Sequence, residues 1–93
     1  MRLLFEWAVA KADANLTKHG VSFSEAATVF GDPLSVTVPD PDLSITEERY
    51  LSIGASDRLR FLIIAHAEIG DRIRIISARE LTRSERESYE RRD

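Results

Sequence analysis

A chain of 93 residues with 43% apolar and 31% charged side chains has the balance of one soluble globular domain over residues 1–93, able to bury only about 60–65% of its unfolded surface. It has no cysteine, which excludes disulfides, thiolate-held zinc and thiol catalysis and points to the cytoplasm rather than to a secreted domain. The net charge of −3 argues against a general duplex-DNA binder, which carries a broad basic face.

The start, MRLLFEWAVAK, lacks the long apolar core of a signal peptide, and no apolar run approaches a membrane span, the longest being Phe61 to Ala65. LLFEW alternates as a short strand, with Phe5 and Trp7 on one face. AVAKADANLTKHG reads as a helix closed by Gly20, with Val9, Ala12 and Leu16 as its apolar stripe and Lys11, Asn15 and Lys18 on another face. A shorter helix follows from a Ser22–Glu25 capping box and buries Phe23, Ala26, Val29 and Phe30. Gly31 and Pro33 end it.

LSVTV is a strand, and PDPDLSIT a turn-rich loop in which Asp40 and Asp42 read as loop charges. EERYLSIG is the next strand, with Leu51 and Ile53 facing one way. Asp57 and Arg58 turn the chain into residues 59–67, apolar on both faces and therefore a central covered strand. Ile69, Gly70 and Asp71 turn it again into RIRIISA. Thr82 and Glu85 form a second capping box and open a C-terminal helix whose one large apolar residue after Leu81 is Tyr89, so that it docks weakly or is completed by a partner. The order β-α-α-β-β-β-β-α with short connections predicts an α+β fold: a small, mainly antiparallel sheet flanked by helices.

Charge is unevenly spread. Residues 1–71 hold six Lys and Arg against eleven Asp and Glu, while residues 72–93 hold seven Arg against five Asp and Glu. Arg72 and Arg74 alternate with Ile73 and Ile75, the pattern of a solvated sheet face. Arg83 and Arg86 fall in or just after the first turn of the last helix, where a cation costs about 0.3–1 kcal/mol. With Arg79 at the strand end they would surround the helix start, and phosphate binding and plain surface charge both fit that spacing.

His19 ends the first helix, where the dipole favours a cation, and is equally placed to act as an acid or base beside Lys18. His66 reads as a hydrogen-bonded sheet residue. Two isolated histidines make no metal pattern, and neither a phosphate-binding glycine loop nor a nucleophile elbow is present. Lys11, Lys18, His19, Arg79, Arg83 and Arg86 suit one reaction that needs no metal or cofactor. In it, RNA is cleaved by its own 2′-hydroxyl, given a base, an acid and cations for the charge on phosphorus.

The ordered motifs FEW, K…N..KHGVSF.EA..VF.DP, EERYLSIG and DRIRIISAR..TR.ER..YE, from Phe5 to Glu90, resemble the BrnT family of toxins. The resemblance implies a RelE-like fold and a type II toxin whose ribonuclease activity halts translation. It also implies a BrnA-type antitoxin with a ribbon-helix-helix region, whose complex with the toxin meets operator DNA. By position it implies His19, Lys18, Arg79 and Arg83 as catalytic residues, and Lys11, Asn15, Arg49, Glu85 and Arg86 as RNA-binding ones, with Glu85 orienting an arginine. Where the family commonly has Asp followed soon by Pro at the start of the first helix, Ala8 and Val9 stand here, so that helix lacks its cap. The alternative from a different class is a non-catalytic module that uses the same basic patch to grip a partner protein or nucleic acid.

Overall fold

The computed structural model describes residues 3–40 and 48–91. Five strands and three helices follow in chain order: β1 (Leu4–Glu6), α1 (Val9–His19), α2 (Phe23–Thr28), β2 (Val36–Pro39), β3 (Arg49–Ala55), β4 (Phe61–Ile69), β5 (Arg72–Glu80) and α3 (Arg83–Glu90). A single 3₁₀ turn, Val29–Gly31, extends α2. The strands form one sheet in the order β1-β5-β4-β3-β2, antiparallel except that β1 runs parallel to β5. The fold is α+β, as the element order predicts. Most of the PDPDLSIT loop lies outside the described residues.

β4 is the central strand, and its side chains alternate between two different environments. On one face Leu62 and Ile64 join Ile75 and Ala78 of β5 beneath Val21, Phe23, Ala26 and Val29, the fully buried core. The other face carries Phe61, Ile63 and Ala65, which are only half-buried. α3 reaches over one end of that face through Tyr89, whose ring lies 5.6 Å from Phe61 and whose hydroxyl donates to the Leu34 carbonyl at 3.0 Å. No residue of α3 is buried, in keeping with the weak docking that its composition predicts.

The sheet's edge strands are short, and side chains satisfy the backbone where they stop. β1 pairs with β5 only from Arg72 to Arg74. Beyond it, Asn15 of α1 takes the place of a strand: its Oδ1 accepts from Ala78 N at 3.0 Å, and its Nδ2 donates to Ala78 O at 2.8 Å and to Val21 O at 2.9 Å. At the opposite edge the Asp32 carboxylate accepts from Ala55 N at 2.8 Å. The 3₁₀ turn sits hard against β3 at Gly54, where a Cβ would meet Asp32 Oδ2 and Ser35 Cβ at 2.9 Å each. Backbone polar groups left unpaired in such places cost as much as a lost hydrogen bond, which is why these two side chains are invested there.

Three sequence expectations change. The apolar stripe of α1 is not its buried face: Val9 is 72% and Leu16 52% exposed, whereas Asn15 is 6% exposed. The amide's bonds to β5 fix the rotation of the helix and turn Ala12, Asn15 and His19 inward. Asn15 therefore does not share an open face with Lys11 and Lys18, and it is a structural strut rather than a surface contact for RNA. The Ser22–Glu25 capping box is half made. Ser22 Oγ accepts from Glu25 N at 3.0 Å, but the Glu25 carboxylate is drawn away to Ser56 Oγ and to the Arg60 guanidinium. That hydrogen bond with Arg60, more than any other influence, holds Glu25 below its ordinary pKa.

Candidate functional site

The open side of the sheet holds a shallow cavity of about 320 Å³ between the end of α1 and the last strand. Leu51, Ile63 and Ala65 form its floor, while His19, Asp40, Ser77 and Arg79 stand at its sides. Local structure explains the convergence. Gly20, at φ 70°, closes α1 in the left-handed region and leaves His19 as the last helical residue. Asn15, one helical turn earlier, fastens α1 to Ala78, the neighbour of Arg79. Arg60 adds a second anchor, donating from Nη2 to the Gly20 carbonyl at 3.1 Å while it holds Glu25. His19 and Arg79, distant in sequence, are thus brought to one cavity, chiefly by the buried Asn15 bonds to Ala78.

Arg79 is held in place. Its Nη1 and Nη2 donate to Glu85 Oε1 and Oε2 at 2.8 and 2.9 Å, and Nη1 also reaches the Glu80 carbonyl at 3.1 Å. The same Glu85 completes the capping box of α3, its Oε1 accepting from Thr82 N at 2.8 Å while Thr82 Oγ1 accepts from Glu85 N at 3.1 Å. With the Arg79 hydrogen bonds foremost and the Thr82 N–H next, the Glu85 carboxyl is pulled down to about 2. Arg79 is raised in turn, chiefly by its bond to Glu85. A planar guanidinium pinned on one edge by a carboxylate is pre-organised to offer its remaining N–H groups to an anion.

The other arginines do not gather there, which corrects the expected cluster of three at the helix start. Arg83 is 93% exposed and pairs with Glu87 at 3.4 Å. Arg86 bonds Glu90 at 3.2 Å and lies over the Phe61 ring at 4.8 Å. The reason is electrostatic: the anion at the N-terminus of α3 is the protein's own Glu85, which removes the pull on the outer arginines. Arg72 and Arg74 both pair with Glu6, at 3.1 and 3.0 Å.

Lys18 is exposed beside His19, and Lys11 is exposed near the start of α1. Arg49, half-buried at the start of β3, lies on the same side of the strand as Leu51 of the cavity floor. Among the described residues no group of three His, Asp or Glu side chains is placed to hold a metal ion. No helix among them is long and apolar enough to cross a membrane.

His66 lies outside the cavity. It is fully buried on β4 with Nε2 2.8 Å from Ser52 Oγ, which in turn lies 2.7 Å from Thr37 Oγ1. Burial pushes its pKa down to about 4, so it is a neutral sheet residue at pH 7. Asp40 and Ser77 are the cavity residues that the sequence reading passed over. Asp40 is 9% exposed. Its signal was the period of two, because the alternation of Val36 and Val38 continues to Asp40 and sets it on the face of Leu51.

A family model described as the ribonuclease toxin, BrnT, of type II toxin–antitoxin systems matches residues 7–85. The chain belongs to the BrnT family. Membership makes it one of the ribonuclease toxins of type II systems and implies an antitoxin partner. Its fold is similar to that of the Brucella abortus ribonuclease toxin BrnT in a crystal structure, with a TM-score of 0.65 at 19% identity, covering 88% of this chain and 100% of the other. Among curated protein sequences no match is found.

Proposed function

We propose that this BrnT-family protein cuts RNA at the His19–Arg79 cavity by in-line attack of a 2′-hydroxyl on its own 3′-phosphate. His19 takes the proton of the hydroxyl as the O2′–P bond forms. The P–O5′ bond breaks, the 5′ oxygen takes a proton from water, and a 2′,3′-cyclic phosphate and a 5′-hydroxyl result. Arg79 faces the negative charge that grows on the phosphoryl oxygens. Asp40 lines the same cavity. Lys18 and Arg49 carry positive charge near the cavity, and Arg83 and Arg86 meet flanking phosphates of the strand. The nucleophile belongs to the substrate, so the scheme calls for no metal or cofactor.

The observation that carries this reading is the shared cavity of His19 and a guanidinium already fixed by Glu85. Membership of the family supports a wider reading. The cut RNA halts translation, a BrnA-type antitoxin with a ribbon-helix-helix region neutralises the toxin, and operator DNA is met only through that complex. The test is incubation of purified protein with labelled total RNA in excess EDTA. Fragments ending in cyclic phosphate are expected. Activity that vanishes with EDTA and returns with magnesium overturns the scheme, and binding without cleavage favours the non-catalytic alternative.

A further inference from the structure

A second cavity, of about 390 Å³, lies next along β5, where Trp7, Lys11, Arg74 and Ile76 meet beside Glu6. We propose that it is a nucleotide subsite of the same enzyme, taking a base and phosphate of the RNA strand a short way from the bond that breaks. The inference rests on the ribonuclease reading of the first cavity.

Three observations tie the two cavities into one track. Both are walled by β5, the first by Ser77 to Arg79 and the second by Arg74 to Ile76. Between them the strand changes register. Ser77 pairs with Ala65 but Ile75 with His66, which leaves Ile76 as the extra residue of a bulge. Bulges bend a strand and re-aim its side chains. Finally, α1 bridges the two cavities. Lys11, Asn15 and His19 follow at four-residue steps along it, and Asn15 is bolted to β5 midway. Lys11 therefore serves the second cavity and His19 the first, about 12 Å apart along the helix axis, a distance that a few nucleotides of extended strand cover.

The chemistry suits a nucleotide. Single strands are gripped by aromatic rings that stack on bases and by cations that follow the phosphates. Trp7 touches Phe23 edge-on with ring centroids 5.9 Å apart, but it stays half-buried and is among the residues that line the cavity. Glu6 is the one carboxylate present, and Arg72 and Arg74 each hold one of its oxygens. Lys11, exposed and without an ion-pair partner among the described residues, then leaves the neighbourhood positive. Stacking is tolerant of base identity, so this subsite selects for strand length beyond the cleaved bond more than for sequence.

Trp7 is the only tryptophan in the chain, so its emission reports on this cavity alone. The probe is a mixed-sequence 2′-O-methyl RNA decamer, which lacks the attacking hydroxyl, titrated into the intact protein. Trp7 emission is expected to quench with the same Kd that polarisation of the labelled decamer gives. Lys11→Ala is expected to raise that Kd about fivefold and to flatten the dependence of log affinity on log salt by about 0.7. Its thermal melt stays unchanged, and Lys11→Arg restores most of the affinity. If the decamer binds and ordinary RNA is cut, yet Trp7 emission does not move or Lys11→Ala binds as the unaltered protein does, the subsite is refuted and the ribonuclease reading stands. If the protein neither binds nor cuts RNA, both are refuted.

Discussion

Glu85 grips Arg79 with both carboxylate oxygens, at 2.8 and 2.9 Å, while one of those oxygens also accepts the Thr82 N–H. One side chain thus caps α3 and sets the direction of the guanidinium. Glu85→Gln keeps the cap's size but gives up the charge and half of the fork. Cleavage is expected to fall about tenfold, a loss of about 1.4 kcal/mol, with little change in melting temperature. Unchanged cleavage would mean that Arg79 needs no fixed orientation.

The same contact predicts an acid limit. A carboxylate whose folded pKa is depressed stabilises the fold above its unfolded value and loses that contribution as pH falls through the folded one. For Glu85 the window runs from the ordinary 4.5 down to about 2. The pair is more than a third exposed on both sides, so the effect on stability is under about 1 kcal/mol after solvent screening. A difference in acid denaturation between the unaltered protein and Glu85→Gln, confined to that window, is the check.

Asn15 makes two hydrogen bonds to the Ala78 backbone at an otherwise open strand edge and a third to the Val21 carbonyl between α1 and α2. Asn15→Ala leaves buried N–H and C=O groups of Ala78 without a partner and is expected to cost about 2–4 kcal/mol, read by urea denaturation. A loss below 0.5 kcal/mol, the scale of an ordinary surface change, would show that the helix docks by packing alone.

That residue also marks where sequence reading succeeds and where it stops. β4 was legible as the central strand because residues 59–67 are apolar on both faces, although the face of Phe61, Ile63 and Ala65 proves only half-covered rather than covered, and both turns and the α3 cap carry strong local chemistry. The buried face of α1 was not legible, since hydrophobicity points to Val9 and Leu16 while an amide bonded across the fold decides the rotation. The candidate site was legible in part. His19 and Arg79 were singled out by type and by family motif. Glu85 was legible as the cap of α3, but that its carboxylate takes Arg79 and leaves Arg83 and Arg86 outside depends on side-chain geometry that spacing does not encode. Asp40 was passed over because a charge between prolines reads as a loop residue.

His66 sets a different pH response. Its folded pKa lies at about 4 against an ordinary 6.5, so the unfolded chain takes up a proton first and stability falls as pH drops from 6.5 toward 4. The full loss is about 3 kcal/mol. Melting temperature measured across that range should decline in the unaltered protein and decline much less in His66→Gln, which has no proton to gain. Equal slopes would contradict a buried neutral imidazole.

Ala8 stands at the N-cap of α1 without a side-chain bond, although its carbonyl accepts from Ala12 N at 3.0 Å. Ala8→Ser offers an acceptor to the unpaired N–H groups of the first turn and should raise stability by about 0.5–2 kcal/mol. A calorimetric melt decides it, and no gain would mean that those N–H groups are already satisfied.

The most direct test of the account is RNA cleavage by Arg79→Ala beside Arg58→Ala, with thermal melts of both. Arg58 lies exposed on the β3–β4 turn, away from the cavity, and its removal should leave cleavage near normal. Arg79→Ala should melt within about 1 kcal/mol of the unaltered protein, as exposed sites do. It should also cleave about a hundred- to a thousandfold more slowly, the worth of one donor to a developing oxyanion. Full activity in Arg79→Ala, or equal losses in the two variants, would contradict the assignment of Arg79 to the scissile phosphate.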